Sequence, residues 1–101
     1  MLKFIIKLFG PGVNYRDLIA KGAIIIDVRT TQEFDNGHIK GSKNIPLNKI
    51  QTEVNKIKSW NKPIITICQS GGRSSMAKST LHKAGIEVYN GGGWINLKSK
   101  L

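Results

Sequence analysis

Residues 63–77 read PIITICQSGGRSSMA. The run from Pro63 to Ile67 is apolar or β-branched throughout, without the polar alternation of a half-exposed strand, so it predicts a strand covered on both faces. A lone cysteine, Cys68, stands where that strand ends, and a loop with two adjacent glycines leads into a helix beginning near Ser74. Residues 23–28, AIIIDV, repeat the pattern and close on Asp27. Buried strands of this kind belong to a largely parallel sheet, in which consecutive strands are joined by helices through right-handed crossovers.

The segments between fit that plan. In residues 14–22, NYRDLIAKG, Asn14 is an N-cap, Asp17 lies in the first turn and Gly22 is a stop, while Tyr15, Leu18 and Ile19 share one face. Thr30 and Glu33 stand at capping-box spacing and predict a short helix through TQEF. Gly37, Gly41 and Pro46 leave room only for a short strand near Asn44 and Ile45. Ile50, Val54 and Ile57 recur at helical spacing. Met76, Ala77, Thr80, Leu81 and Ala84 are expected to form one face of the helix that stops at Gly85. Residues 86–90, IEVYN, predict a further strand, and GGGWINL a turn entering a last short helix. The expected fold class is α/β, a mainly parallel central sheet flanked by helices on both faces.

A chain of 101 residues is sized for one domain, here residues 11–101, preceded by a short amphipathic segment, residues 1–10. Leu2, Ile5, Ile6 and Phe9 share one face of that segment, and Lys7 interrupts it too soon for a signal-peptide core or a membrane span. Packing on the domain edge is preferred to membrane contact of residues 2–9. One cysteine excludes an internal disulfide and a multi-cysteine metal site, so a reducing, cytoplasmic setting is expected, with no metal and no cofactor. Sixteen basic against six acidic side chains give a net charge of +10. The thirteen lysines are scattered without interleaved aromatics, which disfavours nucleic acid and suits small anions or an acidic protein partner.

Parallel sheets place ligands beyond the carboxyl ends of their strands, and that is where Cys68 lies. Adjacent Gly71 and Gly72 allow the backbone N–H groups to turn inward, and the helix end adds partial positive charge; both favour a thiolate and an anion. Ionisation by itself gains little. A thiol pKa two units lower yields about 25-fold more thiolate at neutral pH but about 6- to 10-fold less intrinsic nucleophilicity. Holding an anionic substrate against the sulfur must therefore matter more. A nucleotide loop would need Gly-Lys-Ser or Gly-Lys-Thr, and a dithiol redox site a second cysteine; neither is present.

Three separated motifs, IIDVRTTQEFDNGHIKGSKNIPL (25–47), CQSGGRSSMA (68–77) and YNGGGWINL (89–97), resemble those of single-domain rhodaneses over about residues 13–97. The resemblance implies a rhodanese-like sulfurtransferase that moves a sulfane sulfur from thiosulfate or a related donor to cyanide or a thiol. It makes Cys68 the nucleophile and persulfide carrier, and Gln69, Ser70, Gly71, Gly72, Arg73 and Ser74 the substrate-binding cradle. Many thiosulfate-using relatives carry a basic residue directly after the cysteine, where this chain has Gln69. Asp27 and Arg29 are read as supporting residues. Asp27 is placed to accept hydrogen bonds from the cysteine loop or to pair with Arg73, and Arg29 to meet Glu33 across one helical turn. His38 is read as structurally hydrogen-bonded and Trp94 as a packing anchor. Two alternatives are a catalytically silent binding module and a small phosphatase or arsenate reductase. Against the latter, only four residues separate Cys68 from Arg73, where phosphatase loops have five.

Overall fold

The computed structural model describes residues 12–101; the amphipathic segment expected over residues 1–10 lies outside them. The elements are α1 (Tyr15–Ala20), β1 (Ile24–Asp27), α2 (Thr31–Asp35), β2 (Lys43–Asn44), α3 (Leu47–Ser59), β3 (Ile64–Cys68), α4 (Gly72–Lys83), β4 (Val88–Gly93) and α5 (Trp94–Ser99). The four strands form one parallel sheet in the order β2-β1-β3-β4. Helices cover both faces, as expected from the two apolar runs.

Strand periodicity explains those runs. Ile26, Val28, Ile64 and Cys68 point to the face that packs with Ile50 and Ile57 of α3 and with Ala77 and Leu81 of α4. Ile25, Ile65 and Ile67 point to the other, where Leu18 and Ile19 of α1 and Leu97 of α5 lie. With both faces in contact with helices, both parities are mainly apolar, and the polar exceptions, Asp27 and Thr66, are buried with hydrogen-bond partners. Polar caps hold the short helices: the Asn14 side chain accepts from Asp17 N at 3.1 Å, and the Thr30–Glu33 capping box is complete.

Two expectations need correction. Met76 does not belong to the buried face of α4; it is 63% exposed, and the buried stripe is Ser74, Ala77 and Leu81. That i, i+3, i+7 line leaves Met76 on the solvent side and Thr80 only half-buried. The last strand also begins later, at Val88, and continues through the glycines that the sequence marked as a turn. Gly92 pairs with Ile67 and Gly93 with Cys68, after a register shift between Thr66 and Ile67. Close approach explains the glycine at 93: a methyl there would sit 2.8 Å from the Gln69 carbonyl oxygen. Strand β4 therefore runs flush against the loop that follows Cys68.

Candidate functional site in the cysteine loop

Cys68 is the last residue of β3, at the carboxyl edge of the sheet, and is 1% exposed. One side of the thiol packs in the core beneath α3 and α4. Its other side meets the loop. Gly71 N donates to Sγ at 3.0 Å and Ser74 N at 3.4 Å, with the Ser74 hydroxyl also 3.4 Å away. This curl requires Gly71 in the left-handed region, φ 109°, directly before α4 begins at Gly72. The first turn of a 12-residue helix thus directs unsatisfied amides at a sulfur.

Burial pushes the Cys68 thiol up, but the Ser74 hydroxyl and the amides of Ser74, Gly71 and Ser70 pull it down further, and the net result lies below the ordinary thiol range. Hydrogen bonds to the charged form outweigh desolvation. Removing the hydroxyl in Ser74→Ala is expected to raise that pKa, shifting the alkaline rise of iodoacetamide reactivity to higher pH. At neutral pH the loss of thiolate is largely offset by the greater nucleophilicity of the more basic sulfur, so reactivity should drop by no more than about threefold. An unmoved profile would show that the amides alone set the ionisation.

The Ser74 hydroxyl belongs to a network that sequence reasoning missed. Its Oγ lies 2.6 Å from Asn90 Oδ1 and 3.1 Å from the Gly71 carbonyl. Asn90 Oδ1 also accepts from Gly92 N at 2.9 Å, Asn90 Nδ2 donates to Gly71 O at 3.3 Å, and the Tyr15 hydroxyl donates to Asn90 O at 3.1 Å. The loop is therefore pinned to β4 by one amide side chain. The single Ser74 proton can turn toward Asn90 when Cys68 is a thiol and toward Sγ when it is a thiolate.

The charged residues sort differently from the expectation. Asp27, fully buried, makes no hydrogen bond to the cysteine loop or to Arg73, on which its charge acts only through space: it pairs with Arg29, Nη2 to Oδ2 at 2.7 Å, and also accepts the Arg29 backbone N–H at 3.0 Å. A buried carboxylate two residues away is the closest counter-charge, so Arg29 turns back along the strand instead of out to the Glu33 side chain. Its other donors reach the Glu33 and Gly37 carbonyls at 3.3 and 2.7 Å, and its guanidinium lies 4.6 Å from the Trp94 ring centroid. Glu33 instead binds Arg73 in a two-pronged pair, 2.7 and 3.0 Å, linking α2 to the start of α4. The Arg73 hydrogen bonds, with that from Thr30 N, hold the Glu33 carboxyl down to about 2, and the same pair raises Arg73.

Of the cradle residues named from the sequence, Ser70, Gly71 and Ser74 direct groups at the sulfur, while Gln69 and Gly72 are exposed. His38 is exposed and structurally held, as expected: Nδ1 lies 2.8 Å from the Phe34 carbonyl and the ring stacks on Phe34. Trp94 packs against the α1–α5 core, in keeping with an anchor.

The chain matches the model of the rhodanese-like domain over residues 14–98. It is 45% identical over 69 residues to the protein YqhL of Bacillus subtilis (strain 168), covering 67% of this chain and 54% of that one, so it spans about half the length of this relative. It is 31% identical over 70 residues to thiosulfate sulfurtransferase PspE of Escherichia coli (strain K12), covering 67% of each. Among solved structures, a rhodanese with anions from E. coli superposes with a TM-score of 0.67 at 28% identity, over 74% of this chain and 91% of the other.

Proposed function

Because the chain belongs to the rhodanese-like domain family, a sulfurtransferase family, we propose that it carries sulfane sulfur on Cys68 from an anionic donor to a thiophilic acceptor. The observation that carries this reading is the convergence of the Gly71 and Ser74 amides and the Ser74 hydroxyl on one ionisable sulfur. Thiosulfate is the reference donor, as the name of the E. coli relative suggests.

In the first half-reaction the Cys68 thiolate attacks the outer sulfur of thiosulfate. A new S–S bond forms at Sγ while the donor's S–S bond breaks, and sulfite leaves with the electron pair. The outer sulfur of the resulting persulfide bears the charge, and in this reading the loop amides that now donate to Sγ stabilise it. In the second half-reaction cyanide or a thiolate attacks that outer sulfur, and Cys68 departs as the thiolate with which it began. In this reading the lowered pKa of Cys68 supplies the thiolate, and the second half-reaction returns the sulfur in that form, so no base has to act between turnovers.

Arg73 serves in this reading as a brace, its guanidinium taken up by Glu33. That arrangement also argues against a phosphatase or arsenate reductase, where a guanidinium should cradle the tetrahedral oxyanion. A silent binding module would have no use for a thiol whose pKa is drawn down by converging donors. The net charge of +10 suits an acidic acceptor protein, whose binding should weaken with salt. The proposed working unit is residues 11–101, in a reducing, cytoplasmic setting. Among the described residues, no helix is long and apolar enough to cross a membrane.

Steady-state kinetics test the two-step cycle. Varying thiosulfate at several fixed cyanide concentrations should give parallel double-reciprocal lines, the pattern of a covalent sulfur-enzyme. Intersecting lines would mean that both substrates must be bound together, and would remove the persulfide from the cycle.

A further inference from the structure

Among the described residues, the two arginines that the sequence motifs offer the cysteine loop, Arg29 and Arg73, are each paired with a carboxylate. Gln69, the first loop residue, is neutral and exposed. Arg73 gives two nitrogens to Glu33, with both side chains only about one-third exposed, 36% and 34%. Arg29 is taken up by buried Asp27 at 2.7 Å. Among the described residues, the hydrogen-bonding groups that face Sγ are dipoles, amides and a hydroxyl, and Arg73 acts on the sulfur only through space while its guanidinium is held by Glu33. Dipoles this close stabilise one localised negative charge well, whereas a second charge on the incoming donor calls for a cation nearby.

Thiosulfate brings two negative charges to a sulfur that is already negative. An alkyl persulfide brings the same sulfane sulfur with at most one on its reacting end. Resting on the sulfurtransferase reading above, we infer that Glu33 is a specificity-determining residue: by pairing with Arg73 it sets the site toward persulfide donors and away from the thiosulfate dianion.

The step balances without any further reactant. Cys68 Sγ⁻ attacks the outer sulfur of R–S–SH, the Sγ–S bond forms as the donor's S–S bond breaks, and R–S⁻ leaves with the electron pair. It takes the proton from the outer sulfur, giving R–SH and the Cys68 persulfide anion. Glu33 remains ionised wherever the thiolate is present, since Arg73 holds its carboxyl down to about 2.

The test is Glu33→Gln, which removes the charge that neutralises Arg73 while keeping a residue competent for the Thr30 capping box. KM and kcat/KM are measured for thiosulfate and for cysteine persulfide, in wild type and variant, at low ionic strength. The thiosulfate KM is expected to fall about fivefold, the size of effect for one charge freed at a partly exposed site. The thiosulfate-to-persulfide ratio of kcat/KM should rise by a similar factor, and the gain should shrink in added salt. A purely structural contribution would lower both donors alike and leave the ratio unmoved, which would overturn the inference. Should Glu33→Gln fail to fold, Gln69→Arg adds the missing charge without touching α2; it must raise the same ratio, and an unchanged ratio overturns the inference equally. If wild-type Cys68 acquires sulfur from neither donor, the failure lies in the sulfurtransferase reading itself.

Discussion

Cys68→Ser is expected to lower sulfur transfer from any sulfane donor by at least about 10³-fold, because a serine hydroxyl is neither ionised at neutral pH nor able to carry a labile sulfur. The fold should survive the change. Gly71 N and Ser74 N, which now donate to Sγ, can donate to an oxygen in nearly the same place, so the stability loss should stay within about 1–2 kcal/mol. Far-ultraviolet circular dichroism and thermal unfolding check the fold, and thiosulfate:cyanide turnover checks the chemistry. Since Cys68 is the chain's one cysteine, activity that persists in the variant would rule out thiol chemistry altogether.

Asp27→Ala should produce the largest loss of stability, about 3–5 kcal/mol, by leaving the Arg29 guanidinium buried without its counter-charge. Arg29 also reaches the Glu33 and Gly37 carbonyls and lies over Trp94, so one broken pair loosens β1, α2 and the packing of α5 together. For a domain of this size the corresponding fall in Tm is roughly 15–30 °C, readable by calorimetry. A fall of only a few degrees would mean that water or another carboxylate reaches Arg29. Neither Asp27 nor Arg29 contacts the sulfur, so activity at low temperature should decline through unfolding, with the thiolate pH profile of the remaining folded protein unchanged.

The parts of this molecule that were legible in the sequence are those set by local chemistry. Ile64–Ile67 announced a doubly covered strand because apolar or β-branched residues occupy both parities, with none of the polar alternation of a half-exposed strand. Thr30 and Glu33 announced a helix start because the capping box closes within three residues. Gly71 and Gly72 after Cys68 announced a curled loop because a left-handed residue is needed there. The parts that were hidden depend on which elements meet in space. Glu33 and Arg73 lie 40 positions apart and meet because α2 and the start of α4 share the carboxyl end of the sheet. Asn90 reaches Ser74 because β4 continues through its glycines beside the loop, where a turn had been expected. Met76 carries the composition of a core residue yet stands outside the Ser74–Ala77–Leu81 stripe, a difference that one residue of helical phase decides.

The amides around Cys68 lower its pKa, and in the proposed cycle its sulfur takes up one sulfur atom. Intact-mass analysis after a brief incubation with a sulfane donor, followed by peptide mapping, tests it most directly. The expected result is the mass of one added sulfur on the peptide containing Cys68, lost on exposure to cyanide and absent from Cys68→Ser. An unmodified Cys68 after both thiosulfate and cysteine persulfide, or a sulfur that cyanide cannot remove, would contradict it.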